Sequence, residues 1–353
     1  MQAVAILIHS SRNDVRSLFR SISRAIGSAV FLTASLGAQA SPTCSTVGSS
    51  GSVAFTIAVA ANFYQPLISL ATNYANTQGY QITICEDSSG NLYNAIVPSN
   101  SPQYALFFSA DTSNPAKINT NYHALVASGP ANYANGIPVF LLSPNAYSAT
   151  GGSYRAVNYM HTGLPAGSGA AAQQSDPSLP AISNYVKFKR SPSYPAVSYL
   201  AIGDPSLAPY GLIAADILGN DPTDYPNNMN LWNNGGSAVN AGTNVTSDCS
   251  TLVGSGQWMC EYSNIDLTLQ SIANNHVTGG VVGYSQVCPV WAGTTYHLDQ
   301  YVMFPSYNTT QAYVQLTVND TTAQSDATAF LSWLGIGTAN WNTWLSNNCY
   351  QSL

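Results

Sequence analysis

The chain has 353 residues, of which 7% are charged, and its formal net charge is −6. Soluble proteins usually carry about 25% charged residues, so this surface relies on neutral polar side chains. The basic cluster of Lys187, Lys189 and Arg190 is too small to bind nucleic acid or an anionic membrane.

Residues 1–40 have the pattern of a signal peptide. A basic segment precedes an apolar stretch at 25–36, which ends in the small-residue triplet Ala38-Gln39-Ala40. This arrangement predicts cleavage and a mature start near Ser41. A retained anchor is the alternative, although the apolar stretch is shorter than the roughly 20 residues that span a bilayer. The leader holds four of the nine basic residues and one of the fifteen acids, which leaves a mature net charge near −9.

The low charge of the mature chain suits acidic surroundings. Carboxylates become protonated there and unpaired cations repel one another, whereas neutral hydrogen-bonding groups are indifferent to pH. An acidic environment is therefore one hypothesis. The other is a lineage that simply favours Asn and Ser.

All six cysteines follow the predicted leader, and an even number in an exported protein indicates disulfide bonds. Cys249 and Cys260, with ten residues between them in a Gly/Ser-rich segment, form the expected local pair. The sequence leaves open how the other four pair, namely Cys44, Cys85, Cys288 and Cys349. Because the cysteines lack metal-ligand spacing and the histidines are scattered, we expect no metal site.

Strands and helices alternate along the chain. The strand-like runs lie at Val53–Ala60, 80–86, 104–109, 138–142, 197–202 and Gly279–Gly283. Helical patterns lie at 63–77, near 91–97, from 115, from 211, and at 265–274, 323–334 and 339–347. This alternation favours an α/β fold with a parallel sheet. Two loop-rich stretches, near 146–196 and 233–258, are interpreted as insertions.

Two strand-to-helix junctions carry small hydrogen-bonding residues. Ala60-Ala61-Asn62-Phe63 follows the first strand, and Ser88-Ser89-Gly90-Asn91 follows the second. Ser or Asn at such a place is often a helix cap. However, a helix N-terminus also attracts anions, and two junctions on neighbouring parallel strands open at the same sheet edge. The pair therefore predicts an anion site.

These junctions belong to a longer series of motifs. After 58–63 (AVAANF) and 88–93 (SSGNLY) come Phe108-Ser109-Ala110-Asp111, then 200–205 (LAIGDP) with Pro209-Tyr210-Gly211, then Asn264-Ile265 and 279–287 (GGVVGYSQV). In this order and spacing they resemble the molybdate-binding receptors of ABC importers, over most of residues 53–347. The resemblance implies a two-lobed type II periplasmic binding protein. Two Rossmann-like lobes are expected, joined by a hinge that the chain crosses twice.

The resemblance also implies the bounds of the lobes. Lobe I is expected to comprise 44–134 and 300–353, and lobe II to comprise 135–299 with both insertions. The branch of the family with Asn at the position of Asn62 and Tyr at that of Tyr210 fits this chain better than the branch with Ser, because Gly283 stands where the Ser branch has Tyr.

A ligand site follows from the same motifs. The implied ligand contacts are Ala61, Asn62, Ser89, Tyr210 and Ile265. In the family such residues surround a tetrahedral oxyanion, molybdate or tungstate, with hydroxyl, amide and backbone N–H donors and without a countercharge. Neutral donors at helix ends can replace the water around an anion, and backbone donors explain how alanine and isoleucine contribute. No cofactor and no catalytic residue is implied.

The implied partner is an ABC permease in the inner membrane, and the mature monomer is expected in the periplasm or secreted. A receptor for another oxyanion, such as sulfate or phosphate, is one alternative. A secreted surface or adhesion protein that uses the same fold is another. An enzyme is disfavoured, because the segment 283–287 (GYSQV) resembles the nucleophile motif of hydrolases but lacks its second glycine.

Overall fold

The computed structural model describes residues 41–49, 51–98, 103–148, 199–219, 238–254, 259–290, 296 and 300–353. The predicted leader, most of the insertion near 146–196 and part of the insertion near 233–258 lie outside these residues. Within the described ranges, no helix is both long enough and apolar enough to cross a membrane.

The described residues form strands and helices that alternate over most of the chain. The strands are β1 (Thr43–Gly48), β2 (Val53–Ala60), β3 (Gln81–Asp87), β4 (Leu106–Ser109), β5 (Val126–Gly136), β6 (Pro138–Leu142), β7 (Leu200–Gly203), β8 (Ala238–Gly242), β9 (Met259–Tyr262), β10 (Gly279–Gly283), β11 (Tyr301–Met303) and β12 (Thr309–Leu316). The helices are α1 (Ala61–Gln78), α2 (Ser89–Ile96), α3 (Ser113–Asn121), α4 (Pro144–Ser148), α5 (Pro209–Gly219), α6 (Cys249–Leu252), α7 (Ile265–Ala273), α8 (Tyr284–Val287), α9 (Thr321–Leu334) and α10 (Ala339–Asn347). Short 3-10 turns lie at His123–Leu125 and Pro305–Tyr307.

Two six-stranded mixed sheets organise the molecule. Sheet I has the order β1-β3-β2-β4-β12-β5, and sheet II has the order β11-β6-β10-β7-β9-β8. β2 runs parallel to β3 and β4 in sheet I, while β7 runs parallel to β9 and β10 in sheet II. The parallel centre of each sheet brings several strand ends, and the helices that follow them, to one edge.

Helix α1 shows how the sequence builds lobe I. Its apolar residues Phe63, Leu67, Ala71 and Tyr74 recur at helical spacing, and all four are buried in the core cluster that covers one face of sheet I. The helix ends at Gln78, and Gly79 after it has a φ of 75°, the left-handed conformation that glycine adopts without strain.

The chain crosses between the sheets twice. β5 ends at Gly136 and β6 begins at Pro138, so the first crossing is the single residue Ile137. The second lies between Met303 and Thr309. The sequence places the return to lobe I at residue 300, but β11 pairs antiparallel with β6 and so belongs to sheet II. Apart from this strand, the lobe bounds stay a prediction.

Six strands in the described chain coincide with the runs predicted from sequence, and the other six were not predicted. Four of the latter, β1, β5, β8 and β11, lie at sheet edges. β1 has no buried residue, so its sequence shows little hydrophobic pattern. β5 contains Gly, Pro and Asn, which are typical of turns. β8 lies within the stretch interpreted as an insertion.

Three disulfide bonds join all six cysteines, and no free cysteine remains. The predicted pair Cys249–Cys260 is confirmed. Cys44–Cys85 links β1 to β3, directly opposite each other in sheet I. The third bond, Cys288–Cys349, joins residues 61 positions apart.

Candidate ligand-binding site

A small cavity lies where the two lobes face each other. Lobe I and lobe II both contribute to the lining, which consists of Ala60, Ala61, Asn62, Ser88, Ser89, Ala110, Ala208, Pro209, Tyr210 and Ile265. The five residues predicted as ligand contacts therefore line one cavity.

Four helices begin at this cavity. The first residue of α1 is Ala61, of α2 Ser89, of α5 Pro209 and of α7 Ile265, and each of these lines it. The first backbone N–H groups of a helix have no partner within the helix, and its N-terminal end carries a partial positive charge. Four such ends around one small space make it electropositive without a basic side chain.

Asn62 is held rigidly at the start of α1. It is 1% exposed, and its Nδ2 donates to Gln311 Oε1 at 3.1 Å. Its backbone carbonyl accepts from the Ser285 hydroxyl at 3.0 Å and from the Tyr350 hydroxyl at 2.8 Å. In contrast, Asn62 Oδ1 is buried without a hydrogen-bond partner. An unpaired buried amide oxygen is unusual in a folded protein.

The two serines of the second junction have different roles. Ser88 is the N-cap of α2, because its hydroxyl accepts from the Asn91 N–H at 3.2 Å. Ser89 is the first helical residue, and its Oγ accepts from the Ala110 N–H at 2.9 Å. That bond occupies a lone pair and leaves the Ser89 hydrogen free to donate. The capping role considered for this junction therefore falls to Ser88.

Tyr210 contributes an aromatic hydroxyl from lobe II. It is 1% exposed, and its oxygen lies 3.2 Å from Gln311 Nε2. Burial raises the pKa of Tyr210 well above its ordinary value, so the phenol keeps its proton. The glycine at position 136 leaves room for the bond between Tyr210 and Gln311, because a Cβ at Gly136 would overlap the Tyr210 hydroxyl and the Gln311 amide. A Cβ at Gly283 would lie 3.3 Å from Tyr210 Cζ, which explains why a small residue accompanies this tyrosine.

Ile265 contributes backbone rather than side-chain polarity. It opens α7 directly after Asn264, whose side chain caps the helix by accepting from the Leu267 N–H at 2.9 Å. The cap orients the first turn of α7 at the cavity. The side chain of Ile265 is apolar, so the polar group of this residue is its peptide.

Sequence reasoning missed the remaining lining residues and the residue behind them. Ala60, Ser88, Ala110 and Pro209 lie within the motifs, and Ala208 directly precedes one, but none of them was predicted as a ligand contact. Gln311 lies in none of the motifs. It lies on β12, 249 residues after Asn62 in the chain, and only the fold brings them together.

The lining contains no charged side chain. Asp87, next to Ser88, is turned away into hydrogen bonds with the Ser88 N–H at 2.7 Å and Asn91 Nδ2 at 3.0 Å. In the described residues, no group of three or more His, Cys, Asp or Glu could hold a metal ion. The site therefore offers hydrogen bonds and helix dipoles rather than ionic contacts.

Comparison with known proteins identifies the family. The profile of the bacterial extracellular solute-binding proteins matches residues 55–339. The chain belongs to this family. No curated protein sequence matches it.

Solved structures show the fold of this solute-binding protein. The periplasmic molybdate-binding protein of Azotobacter vinelandii aligns with a TM-score of 0.54 at 18% identity, covering 84% of this chain and 98% of that one. The substrate-binding protein of an ABC transporter from Agrobacterium tumefaciens aligns with a TM-score of 0.52 at 10% identity, covering 86% and 81%. The chain has the two-lobed type II periplasmic binding fold. The family and these neighbours are solute-binding proteins rather than enzymes.

One buried carboxyl of the solute-binding protein lies close to the second junction. Glu86, at the end of β3, is 8% exposed, and its Oε1 has no hydrogen-bond partner. Burial, with smaller contributions from the charges of Asp266 and Asp87, raises the pKa of Glu86 to about 8. Asp87 and Asp266 also have pKa values raised by burial. Glu86 is therefore neutral near pH 7 in the folded protein.

The substitution Glu86→Gln should stabilise the protein at neutral pH and not in acid. The unfolded chain ionises Glu86 above about pH 4.5, while the folded chain holds the proton until about pH 8, so the wild type loses stability between these values. A neutral glutamine side chain at this position removes the loss, which amounts to at most about 3 kcal/mol near pH 7. At neutral pH the variant should melt at a higher temperature than the wild type, and this gap in melting temperature should close as the pH falls to about 4.5. A gap of equal size at both pH values would contradict this assignment.

Proposed function

We propose that the protein is the periplasmic receptor of an ABC importer and that it captures a tetrahedral oxyanion, with molybdate and tungstate as the first ligands to test. The convergence of four helix N-termini on one small cavity without a charged lining carries this proposal. Helix N-termini are ready anion sites because free N–H donors and the positive end of the dipole coincide.

The proposed ligand-binding residues are Ala61, Asn62, Ser89, Tyr210 and Ile265. An oxyanion that loses its hydration shell needs many hydrogen-bond donors, and these residues offer backbone N–H groups and two hydroxyls. Small side chains at Ala61 and Ser89 let a ligand approach the backbone closely. Neutral donors bind the charge without an ion pair whose desolvation would oppose binding.

The ligand class is inferred from chemistry and from analogy. The motif resemblance points to molybdate receptors, and the Azotobacter neighbour is named as a molybdate-binding protein. At 18% identity this likeness supports the fold, and it extends to the ligand by analogy alone. Sulfate or phosphate would satisfy the same donors, so the alternative is another tetrahedral oxyanion.

Lobe closure is the proposed mechanism of capture. Next to the cavity, the Gly90 N–H on α2 donates to the Leu207 carbonyl of lobe II at 2.9 Å. The Asn264 side chain of lobe II also hydrogen-bonds to Asp87 of lobe I. These contacts exist only when the lobes are together. The closed, monomeric protein, cleaved near Ser41, would then be recognised by the permease.

Calorimetric titration of the mature protein tests the proposed function. Molybdate, tungstate, sulfate and phosphate are each added to the protein, with chloride as the matched monatomic control. Saturable binding of at least one oxyanion at a single site is expected. If all four give no heat and no increase in melting temperature, the proposed function is wrong and a surface or adhesion role becomes the better explanation.

The substitution Ser89→Ala should weaken oxyanion binding. It removes a hydroxyl donor to a charged ligand, and such hydrogen bonds contribute about 1.5–3 kcal/mol, or roughly 10- to 150-fold in affinity. Because Ser89 Oγ also accepts from the Ala110 N–H, a stability loss of about 1 kcal/mol should accompany it. Calorimetry and thermal melting on the same samples measure both effects.

Thr338→Ala is the matched control for Ser89→Ala. Thr338 caps α10 by accepting from the Trp341 N–H at 3.3 Å, and it is absent from the cavity lining. Its loss should also cost about 1 kcal/mol of stability. Affinity should stay at the wild-type value. Equal affinity of the two variants would show that Ser89 acts on folding rather than on the ligand.

The substitution Gly90→Ala should hinder closure without harming lobe I. A Cβ at Gly90 would lie 2.8 Å from the Leu207 carbonyl oxygen and 2.9 Å from its Cα, both backbone atoms that cannot rotate away. Overpacking of this kind costs about 1–3 kcal/mol, so affinity should fall at least about 5-fold. Alanine favours a helix by up to about 1 kcal/mol over glycine, so the ligand-free melting temperature should not fall. Unchanged affinity would contradict the proposed closure contact.

A further inference from the structure

Helix α1 contains a proline in its second turn, and this proline changes the hydrogen bonding of a residue at the ligand site. In an α-helix the carbonyl of residue 62 accepts from the N–H of residue 66. That residue is Pro66, which has no N–H and whose ring crowds the carbonyl four positions earlier. The Asn62 carbonyl therefore lacks its usual partner in the helix. A buried carbonyl in this situation needs a donor from elsewhere.

Two hydroxyl groups supply that donor. The Ser285 hydroxyl donates to the Asn62 carbonyl at 3.0 Å, and the Tyr350 hydroxyl donates to it at 2.8 Å. A carbonyl only accepts, so the direction of both bonds is fixed, and together they occupy its two lone pairs. Ser285 is 2% exposed and Tyr350 is 3% exposed, so water does not compete for either bond.

The two donors come from opposite lobes. Tyr350 belongs to the core cluster that covers one face of sheet I, and α1 starts directly after β2 of the same sheet. Ser285 lies on α8, which directly follows β10 of sheet II. We call the bond from the Ser285 hydroxyl to the Asn62 carbonyl the hinge bond.

Helix α8 lies next to the hinge. Its first N–H, that of Tyr284, donates to the carbonyl of Ile137 at 2.7 Å, and Ile137 is the first crossing between the sheets. Helix α8 also contacts α1 directly. Ser285 therefore lies at a point where rotation of one lobe relative to the other changes the distance between these two helices.

We infer that Ser285 is a positioning residue for ligand capture, because the hinge bond that Pro66 makes possible holds α1 and α8 together in the closed form. This inference rests on the proposed function and adds to it a residue that does not touch the ligand, since Ser285 is absent from the cavity lining. The serine of the segment 283–287 thus acts in lobe closure and not as a nucleophile.

The hinge bond can form and break in each cycle of closure without leaving a buried group unpaired. When the lobes open, the Ser285 hydroxyl reaches water, and Tyr350 continues to donate to the Asn62 carbonyl from within lobe I. The bond therefore changes the balance between the open and closed forms and not the contacts of the ligand. A ligand held by the closed form loses affinity in proportion to the population of that form, whatever its identity.

The substitution Ser285→Ala tests the inference on the mature protein. Affinity for molybdate, tungstate, sulfate and phosphate should fall by a common factor of about 3- to 10-fold, the contribution of one buried hydrogen bond, and the ratios among these anions should not change. A ligand leaves when the lobes open, so its dissociation rate should rise by a similar factor. Calorimetry measures the affinities, and stopped-flow fluorescence measures the rate.

Ser271→Ala is the matched control for Ser285→Ala. The Ser271 hydroxyl is fully buried and forms a hydrogen bond with the Tyr262 hydroxyl at 2.7 Å, and both residues belong to lobe II. The control therefore loses one buried hydroxyl bond within a lobe. It should lose stability as Ser285→Ala does, but it should keep the wild-type affinity and dissociation rate.

The substitution Pro66→Ala tests the origin of the hinge bond. The new N–H at position 66 competes for the Asn62 carbonyl from within lobe I, so the hinge bond weakens and affinity should fall at least about 2-fold. In the Pro66→Ala background, Ser285→Ala should have a smaller effect on affinity than in the wild type, because both changes act on the same bond. An equal effect in both backgrounds would overturn the role of Pro66.

The outcomes separate this inference from the proposed function. If the wild type binds an oxyanion and Ser285→Ala binds it equally well, the inference is wrong and the proposed function stands. A change in the ratios among the anions would show that Ser285 contacts the ligand and would also overturn the inference. If Ser285→Ala does not fold, wild-type affinity of Pro66→Ala would overturn it. If the wild type binds no oxyanion, both the proposed function and this inference are wrong.

Discussion

The backbone N–H groups at the starts of α1, α2, α5 and α7 are the constraint on which the rest of the structure depends. Such groups have no partner within their own helix. Some of them have partners in neighbouring residues, as Gly90 has in Leu207, Asn91 in Ser88 and Leu267 in Asn264. Any donor that closure buries without a partner costs about 1–3 kcal/mol. An anion would supply acceptors for several at once. On the proposed function, ligand capture and closure are thus one event, and the parallel strand order of both sheets brings the four helix starts together.

The local parts of the site could be predicted from sequence, and the long-range parts could not. Ala61 and Ser89 stand at strand-to-helix junctions, whose residue types and spacing are local properties. Whether Ser88 or Ser89 caps α2 depends on where this helix begins. From sequence, a helix start can be assigned only to within about one or two residues. Gln311 could not be found, because β12 carries no distinctive pattern and reaches Asn62 through tertiary structure. The edge strands β1 and β5 could not be found either, because β1 has no buried residue and β5 contains Gly, Pro and Asn.

The chain has few charged residues, and several of its acidic residues are buried with raised pKa values. Burial raises the pKa of five carboxyl groups among the described residues, Glu86, Asp87, Asp216, Glu261 and Asp266. A carboxyl whose pKa is raised by folding lowers the stability of the folded protein as the pH rises, because the unfolded chain ionises first. Most proteins lose stability in acid because paired carboxylates become protonated. These five groups have the opposite effect, which agrees with the hypothesis that the composition suits acidic surroundings.

The disulfide Cys288–Cys349 gives the hinge a third covalent connection. Cys288 follows α8 on the side of sheet II, and Cys349 follows α10 on the side of sheet I. The polypeptide itself crosses at Ile137 and between Met303 and Thr309. A protease that cut both crossings would leave three fragments, and this bond would still hold the C-terminal fragment, which carries β12 of sheet I, to the middle fragment, which carries sheet II, until a reductant reached it. The two lobes therefore remain linked where proteases are present. Their rotation relative to each other is anchored at this disulfide.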